Sequence, residues 1–313
     1  MKKAWLLLIP FFFMNCQQEK KTSPTDKLSH QYLTVLGTAQ DAGYPQINCN
    51  KSCCQPYHEG KVAKKLISCL GLIDLKANKK WLFDATPDIT QQIQNLSNHL
   101  ETTNVIDGVF LTHAHIGHYT GLMFFGREAM GATKVPVYTM PKMKSYLETN
   151  GPWSQLVALK NIDLKKLVHN TAVDLTNGLK ITPFLVPHRD EFSETVGYKI
   201  EGKQKSALFI PDINKWHLWG KNIVEEVKKV DYAFLDATFF KEGEIPRPMS
   251  EVPHPFIVET VKLFENEDKA TKNKVIFIHF NHSNPALQNS NKLKSDLEKQ
   301  GFQFAEEGMR VGL

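Results

Sequence analysis

The 313-residue chain has no apolar run long enough to span a bilayer. Its longest, Ala4–Met14, has the length of a signal-peptide h-region. It has no Arg-rich stripe and no ladder of basic and aromatic residues. The formal charge of +5 is spread over single lysines, so a solvated surface is expected and nucleic acid is not. No short repeat or low-complexity segment interrupts it. With 42% hydrophobic and 23% charged residues, a sizeable core and one packed domain are expected. Cysteine is scarce, five in all, and three of these, Cys49, Cys53 and Cys54, crowd together. Vicinal thiols such as Cys53-Cys54 rarely bond to each other because the geometry is strained. A thiolate metal clip therefore suits them better than a disulfide framework, with a pairing of Cys69 left open.

What is present begins with an address. Lys2 and Lys3 precede the apolar segment, Cys16 follows it, and polar residues rich in Lys, Ser, Thr and Pro come next. This resembles a bacterial lipoprotein signal, with Phe13-Met14-Asn15-Cys16 as a loose lipobox in which Asn15 replaces the usual small residue. Residues 1–15 are expected to be the signal peptide, Cys16 the lipidated residue and 16–30 a tether. The folded domain is then 31–313. The mature protein is expected outside the cytoplasm, as a periplasmic or outer-membrane lipoprotein of a Gram-negative cell.

The chemistry concentrates at Phe110-Leu-Thr-His-Ala-His-Ile-Gly-His-Tyr-Thr-Gly121. The apolar run Val105–Leu111 reads as a buried strand and Tyr119–Met130 as a helix, so His113, His115 and His118 fall on a strand-to-helix turn. Neutral imidazole is the commonest zinc ligand, and strand ends are where α/β folds keep their chemistry. Elsewhere Gln31–Thr38 reads as a strand running into a turn-rich loop with Asp41, Gly43 and Pro45. Ile67–Leu75 and Lys80–Asp84 read as a hairpin, followed by a helix to about Leu100. Val135–Tyr138 reads as a strand, and Pro141–Leu167 has helical periodicity broken at Gly151-Pro152. Further strands are read at Leu179–Val186, Gly197–Ile200, Ser206–Ile210, Tyr232–Leu235 and Lys274–Phe280. Helices are read at Trp216–Lys229 and Pro255–Phe264. Strands followed by helices in both halves predict a four-layer α/β/β/α sandwich. Polar residues recur at the strand ends: Asp84, the three histidines, His188, Asp212, Asp236 and His279/His282.

These residues, in this order, resemble the metallo-β-lactamase-fold superfamily: Thr112-His113-Ala114-His115-Ile116-Gly117-His118, then His188, Asp212 and His279. The resemblance covers residues 31–313. Within the superfamily it is nearest to the pyrroloquinoline-quinone biosynthesis protein B group and the phosphonate-pathway cyclic phosphodiesterases. That nearer likeness rests on Leu36-Gly37-Thr38-Ala39 before Pro45-Gln46 and the cysteines, on Val186-Pro187-His188-Arg189-Asp190 before Gly197-Tyr198, on Ile210-Pro211-Asp212, and on His279-Phe280-Asn281-His282-Ser283-Asn284-Pro285. It implies a first metal held by His113, His115 and His188 with Asp212 bridging, and a second held by His118, Asp212 and His279.

The family's further carboxylate is absent, because Gly117 occupies its position; Asp190 and Asp84 are the candidate replacements, and Gly117→Asp is expected to add a metal. A structural zinc on Cys49, Cys53, Cys54 and His282 is also implied, with the ligating member of the vicinal pair left open.

The expected function is a metal-dependent hydrolase acting with a metal-activated water on a phosphodiester or other ester, a small-molecule substrate. Zinc is the expected ion, one or two at the active site and one structural, with iron or manganese as alternatives. Asp212 and His118 are the expected catalytic residues, and Asp84 and Asp236 are placed to support the imidazoles. His254 reads first as a helix-start residue and second as a substrate-side acid. Two other functions stay open, an iron-dependent oxygen-using enzyme related to quinone-cofactor synthesis and a non-catalytic tethered binding protein.

Overall fold

The computed structural model describes residues 29–246, 248, 251–287 and 291–313. The expected signal peptide, Cys16 with its expected lipidation and nearly all of the expected tether lie outside them. Among the described residues no helix is long and apolar enough to cross a membrane. The strands are β1 (Gln31–Gly37), β2 (Cys69–Asp74), β3 (Lys79–Phe83), β4 (Gly108–Phe110), β5 (Val135–Thr139), β6 (Ile162–Lys166), β7 (Val173–Thr176), β8 (Leu179–Leu185), β9 (Val196–Glu201), β10 (Ser206–Ile210), β11 (Tyr232–Asp236), β12 (Val275–Ile278), β13 (Gln303–Phe304) and β14 (Arg310–Gly312). They form two mixed sheets, β14-β1-β2-β3-β4-β5-β6 and β13-β12-β11-β10-β9-β8-β7. Strands β3 to β6 run parallel in one, and β10 to β13 in the other.

Three apolar layers make this a four-layer sandwich. Between the sheets lie Phe83, Phe110, Tyr198, Phe209, Phe234 and Ile276. Outside the first sheet, Ile89 and Leu96 of helix Ile89–Ser97 and Met143 and Leu147 of helix Pro141–Thr149 pack with Leu82 and Val109. Outside the second, Ile223 and Val227, Ile257 and Leu297 come from three further helices onto Ala233 and Phe277. Parallel strands buried on both faces read as near-continuous apolar runs, which is why Val275–Ile278 is so legible in the sequence.

An aromatic knot ties the sheets together beneath the histidine turn. Phe83 stacks on Phe110 at 5.4 Å and meets Tyr198 of the opposite sheet at 5.3 Å and Phe209 at 5.9 Å. Such pairs contribute about 0.5–1.5 kcal/mol each beyond area burial. The Tyr198 hydroxyl also donates to the Leu111 carbonyl, so β9 fixes the residue from which the turn departs.

Three expectations are corrected. The helix expected over Tyr119–Met130 is a short helix Ile116–Tyr119 and a 3₁₀ segment Thr120–Phe125. The backbone there pairs sideways instead of continuing: Ala85 N donates to His118 O and Gly121 N to Ala85 O, both at 2.9 Å. A Cβ on Gly121 would lie 2.1 Å from the Thr86 carbonyl, so only glycine permits that approach. The helical reading of Pro141–Leu167 holds to Ala158, but Ile162–Lys166 is the edge strand β6. Its exposed lysines protect an edge and blur the strand pattern. The single helix expected over Trp216–Lys229 is a 3₁₀ turn Trp216–Leu218 and a helix Ile223–Lys228.

Candidate metal centre

The carboxyl ends of β3, β4, β10, β11 and β12 meet at one rim of the sandwich and deliver Asp84, His113, Asp212, Asp236 and His279 there. Asp84 and His279 take left-handed backbone angles, φ 72° and 70°, a conformation that costs a non-glycine residue roughly 1–2 kcal/mol. Their side chains show what holds them there. Asp84 Oδ1 accepts from Thr112 N at 2.8 Å, and Oδ2 accepts from His118 Nδ1 at 2.7 Å. His279 Nδ1 lies 2.9 Å from Thr238 Oγ1.

The two halves repeat one device. Thr112 Oγ1 donates to Asp84 and lies 2.9 Å from His113 Nδ1. Thr238 Oγ1 donates to Asp236 at 2.7 Å and faces His279 Nδ1 in the same way. A hydroxyl that gives its proton to a carboxylate must accept from the imidazole, which fixes Nδ1 as the protonated nitrogen and turns Nε2 inward. His118 is oriented by Asp84 and His188 by Asn214 Oδ1, 3.2 Å from its Nδ1.

The inward atoms converge in two groups that share Asp212. In the first, His113, His115, His188 and Asp212 offer atoms all within 4.8 Å of one another. His113 Nε2 is 2.8 Å from His115 Nδ1 and 3.4 Å from Asp212 Oδ2, and His188 Nε2 is 3.4 Å from Asp212 Oδ1. In the second, His118, His279 and Asp212 are joined within the same limit by Asp41. The six ligands predicted for the active site, His113, His115, His118, His188, Asp212 and His279, are therefore brought together.

Their electrostatics match a cation site. Burial pushes His188 down to about 4 against the pull of Asp212, and it holds His113 well below the ordinary histidine range. Burial works against charge on Asp212, yet the surrounding imidazoles hold it ionised. Among the buried atoms that make no hydrogen bond are His188 Nε2, His279 Nε2 and Asp212 Oδ1. Unsatisfied buried polar atoms are costly, and such atoms in each of two ligand groups that share Asp212 are the pattern bound metal ions resolve. Three or four N/O ligands with hydrogen-bonded outer nitrogens fit zinc.

Two expectations about the missing carboxylate are corrected. Asp84 is engaged behind Thr112 and His118 Nδ1, away from the inward nitrogens. Asp190 Oδ1 accepts from Thr195 Oγ1 at 2.8 Å and joins neither group. The carboxylate that does reach the cluster is Asp41, which the sequence showed only as one more polar residue in a turn.

His254 is the other correction. The helix it was read as starting begins three residues later at Ile257. The His254 ring is buried, its Nδ1 2.8 Å from Asp236 Oδ2 and 3.1 Å from Asp212 Oδ1. Burial opposes charge there, but the two carboxylates outweigh it and raise the ring to about 10. His254 lines a polar cavity of about 650 Å³ together with Arg189, Lys51, Asn281 and Ser283.

Cys53 also lines that cavity, and Cys49, Cys53 and Cys54 gather their sulfurs within 4.8 Å of one another. Cys49 Sγ and Cys53 Sγ are 3.8 Å apart, far beyond a bond of about 2.05 Å. Both members of the vicinal pair belong to the trio. His282, the expected fourth ligand, does not: its Nδ1 turns to Asn281 Oδ1 at 3.1 Å. Burial and the adjacent Cys49 push the Cys54 thiol up to about 12. Cys69 is buried at the start of β2, its thiol pointing to the Leu70 and Asp84 carbonyls, so the pairing left open for it is not made.

Residues 79–280 match the Beta-lactamase superfamily domain, and the chain belongs to that superfamily and has its metallo-β-lactamase fold. Among individual proteins, it is similar to the coenzyme PQQ synthesis protein B of Gluconobacter oxydans strain 621H, 27% identical over 309 residues, with 90% of this chain and 98% of the relative covered. The namesake from Methylobacillus flagellatus is 25% identical over 309 residues, covering 90% and 99%. Of solved structures, Zn(2+)-bound PqqB from Methylobacterium extorquens superposes with a TM-score of 0.75 at 21% identity, covering 90% of this chain and 100% of that one. A diphosphatase from the PhnP family superposes at 0.62 and 24% identity, covering 90% and 96%.

Proposed function

We propose that this protein is a metal-dependent hydrolase of phosphodiesters or related esters. The observation that carries the reading is the convergence of five imidazoles and Asp212 at one rim, where the buried His188 Nε2, His279 Nε2 and Asp212 Oδ1 make no hydrogen bond. His113, His115, His188 and Asp212 would hold the first cation, and His118, His279 and Asp212 the second. A bound divalent zinc lowers the pKa of a water ligand to about 7 and so supplies hydroxide at neutral pH.

The chain's own residues do the rest. Asp212 is shared by both groups and can accept a proton from, or orient, the attacking water. Arg189 and Lys51 on the cavity wall, which also carries Glu244 and Glu251, are the side chains that could contact an anionic group of the substrate. His254 keeps its proton because Asp236 and Asp212 flank it. With Nδ1 engaged by Asp236, its Nε2 is the nitrogen left to protonate a leaving oxygen, a contribution of roughly 10²–10⁴-fold. A zinc-bound solved relative and a diphosphatase of the same fold support the metal and the phosphoester class. We propose likewise that Cys49, Cys53 and Cys54 hold a structural zinc with a fourth ligand other than His282 in its present rotamer. We also propose that the protein is exported and lipidated at Cys16, as the lipobox-like residues suggest.

Hydrolysis of a chromogenic phosphodiester with added Zn²⁺ or Mn²⁺ tests the main reading. Activity is expected in the wild type, lost in His115→Ala, and reduced with metal content intact in His254→Ala. A folded, metal-loaded protein inactive on phosphodiesters, esters and lactones would overturn it.

A further inference from the structure

Residue 117 sits on the histidine turn without a side chain, and the space beside it is filled from elsewhere. A Cβ on Gly117 would lie 2.5 Å from the Asp41 Cα and 2.6 Å from its Oδ1. The Asp41 side chain therefore stands where a side chain from residue 117 would point.

The backbone puts it there. Phe280 N donates to Thr38 O and Gln40 N donates to Phe280 O, both at 2.8 Å. The chain leaving β1 is thus stitched beside the residue that follows His279. Gly43 N then donates to Gln40 O at 2.7 Å, closing a tight turn in which Gly43 takes φ +71°. Asp41 is carried at the tip of that turn. Its Oδ1 lies 2.9 Å from His118 Nε2 and 3.4 Å from His279 Nε2. His118 Nε2 is in turn 3.2 Å from Asp212 Oδ2. His118 and His279 are fully buried and Asp212 is 2% exposed. His279 Nε2, which lies 3.4 Å from Asp41 Oδ1 and 3.5 Å from Asp212 Oδ2, makes no hydrogen bond.

We propose that Asp41 is the terminal carboxylate ligand of the second active-site cation, so that the ligand has moved from the histidine turn to the β1–β2 loop. The proposal rests on the metallohydrolase reading above. Two independent observations support it: the steric exclusion of any side chain at 117 by Asp41, and the unsatisfied buried His279 Nε2 that faces it. The consequence is chemical as well as structural. With glycine at 117, Asp212 alone would neutralise two divalent ions; Asp41 adds a second negative charge to the ligand set and makes the second site a four-ligand one.

The test is metal stoichiometry, not turnover. Full-length protein stripped with chelator is reloaded with Zn²⁺ or Mn²⁺, desalted, and its metal per chain measured for wild type, Asp41→Asn, His118→Ala and His115→Ala, with circular dichroism confirming the fold. Asp41→Asn should lose one equivalent, as His118→Ala does, or bind it at least ~100-fold more weakly, and keep the equivalent that His115→Ala loses. Asp41→Ala is read the same way if the asparagine variant does not fold. Wild-type metal content in the Asp41 variants together with loss in His118→Ala would overturn the Asp41 assignment and leave the hydrolase reading standing. Unchanged metal content in both histidine variants would overturn both.

Discussion

Replacing Gly117 with alanine sets two simple expectations against each other. Residue 117 lies in the short helix Ile116–Tyr119, and its backbone is not in the left-handed region, so helix propensity alone would make alanine about 1 kcal/mol more stable than glycine. The structure says otherwise. The new methyl would sit 2.5 Å from a backbone atom, the Asp41 Cα, and 2.8 Å from its Cβ. No rotamer change relieves a contact with a Cα, so either the histidine turn or the β1–β2 loop must move. Overpacking of that kind costs about 1–3 kcal/mol, and the backbone contact places this case at the upper end. The net loss is then about 2 kcal/mol. In a domain of this size that lowers Tm by about 3 °C. The displaced group is Asp41, so the variant should also release the second cation while keeping the first. Thermal unfolding of the apo and reloaded proteins, with metal analysis, reads both effects. A Gly117→Ala protein with an equal or higher Tm and full metal content would refute the reasoning. The same geometry reverses the expectation from sequence for Gly117→Asp, which should lose a metal instead of gaining one.

Other perturbations follow from the same site. Chelation should lower Tm in a zinc-reversible way, because ligand that binds only the folded chain stabilises it by about 4 kcal/mol at a thousandfold excess over Kd. A Tm unmoved by EDTA would count against any tight site. Cys54→Ser should cost the thiolate-bound zinc and, because Cys54 and Asp41 share the loop between β1 and β2, should weaken the second active-site ion as well; undiminished zinc would count against the clip. Glu244 accepts from Lys241 N at 2.8 Å, and burial raises its carboxyl to about 7 from 4.5. The fold therefore binds this proton more tightly than the unfolded chain does. That stability is fully present below pH 4.5 and is lost as pH rises to about 7. Relative to Glu244→Gln, the wild type should lose Tm across that window, and parallel pH profiles would exclude the effect.

Legibility in the sequence followed how locally each feature is encoded. The parallel inner strands were readable because burial on both faces makes Leu82, Phe110, Phe234 and Phe277 part of apolar runs. Candidate ligands at strand ends were readable because His113, His115, His118, His188, Asp212 and His279 each follow such a run. Edge strand β6 was missed because its Lys165 and Lys166 belong to solvent. Asp41 was missed for a different reason: its role comes from a tertiary stitch between Thr38–Gln40 and Phe280, and nothing within the loop distinguishes it from a turn aspartate. The cue was present as a pair, a glycine at 117 where the likeness called for a carboxylate and an unassigned aspartate shortly after β1. His254 was misread because its proximity to a helix start was local and its Asp236 partner was not. The His282 expectation came from the family likeness alone, and here its Nδ1 faces Asn281 Oδ1 while the ring stands outside the cysteine trio.

The central claim is that a cation is held by imidazoles from distant parts of the chain. Anomalous scattering from crystals grown with zinc or manganese tests it most directly. The account predicts one peak bounded by His113, His115, His188 and Asp212, and a second bounded by Asp41, His118, His279 and Asp212. A well-ordered structure with metal on the cysteine trio alone, and no anomalous density between the histidines, would contradict it.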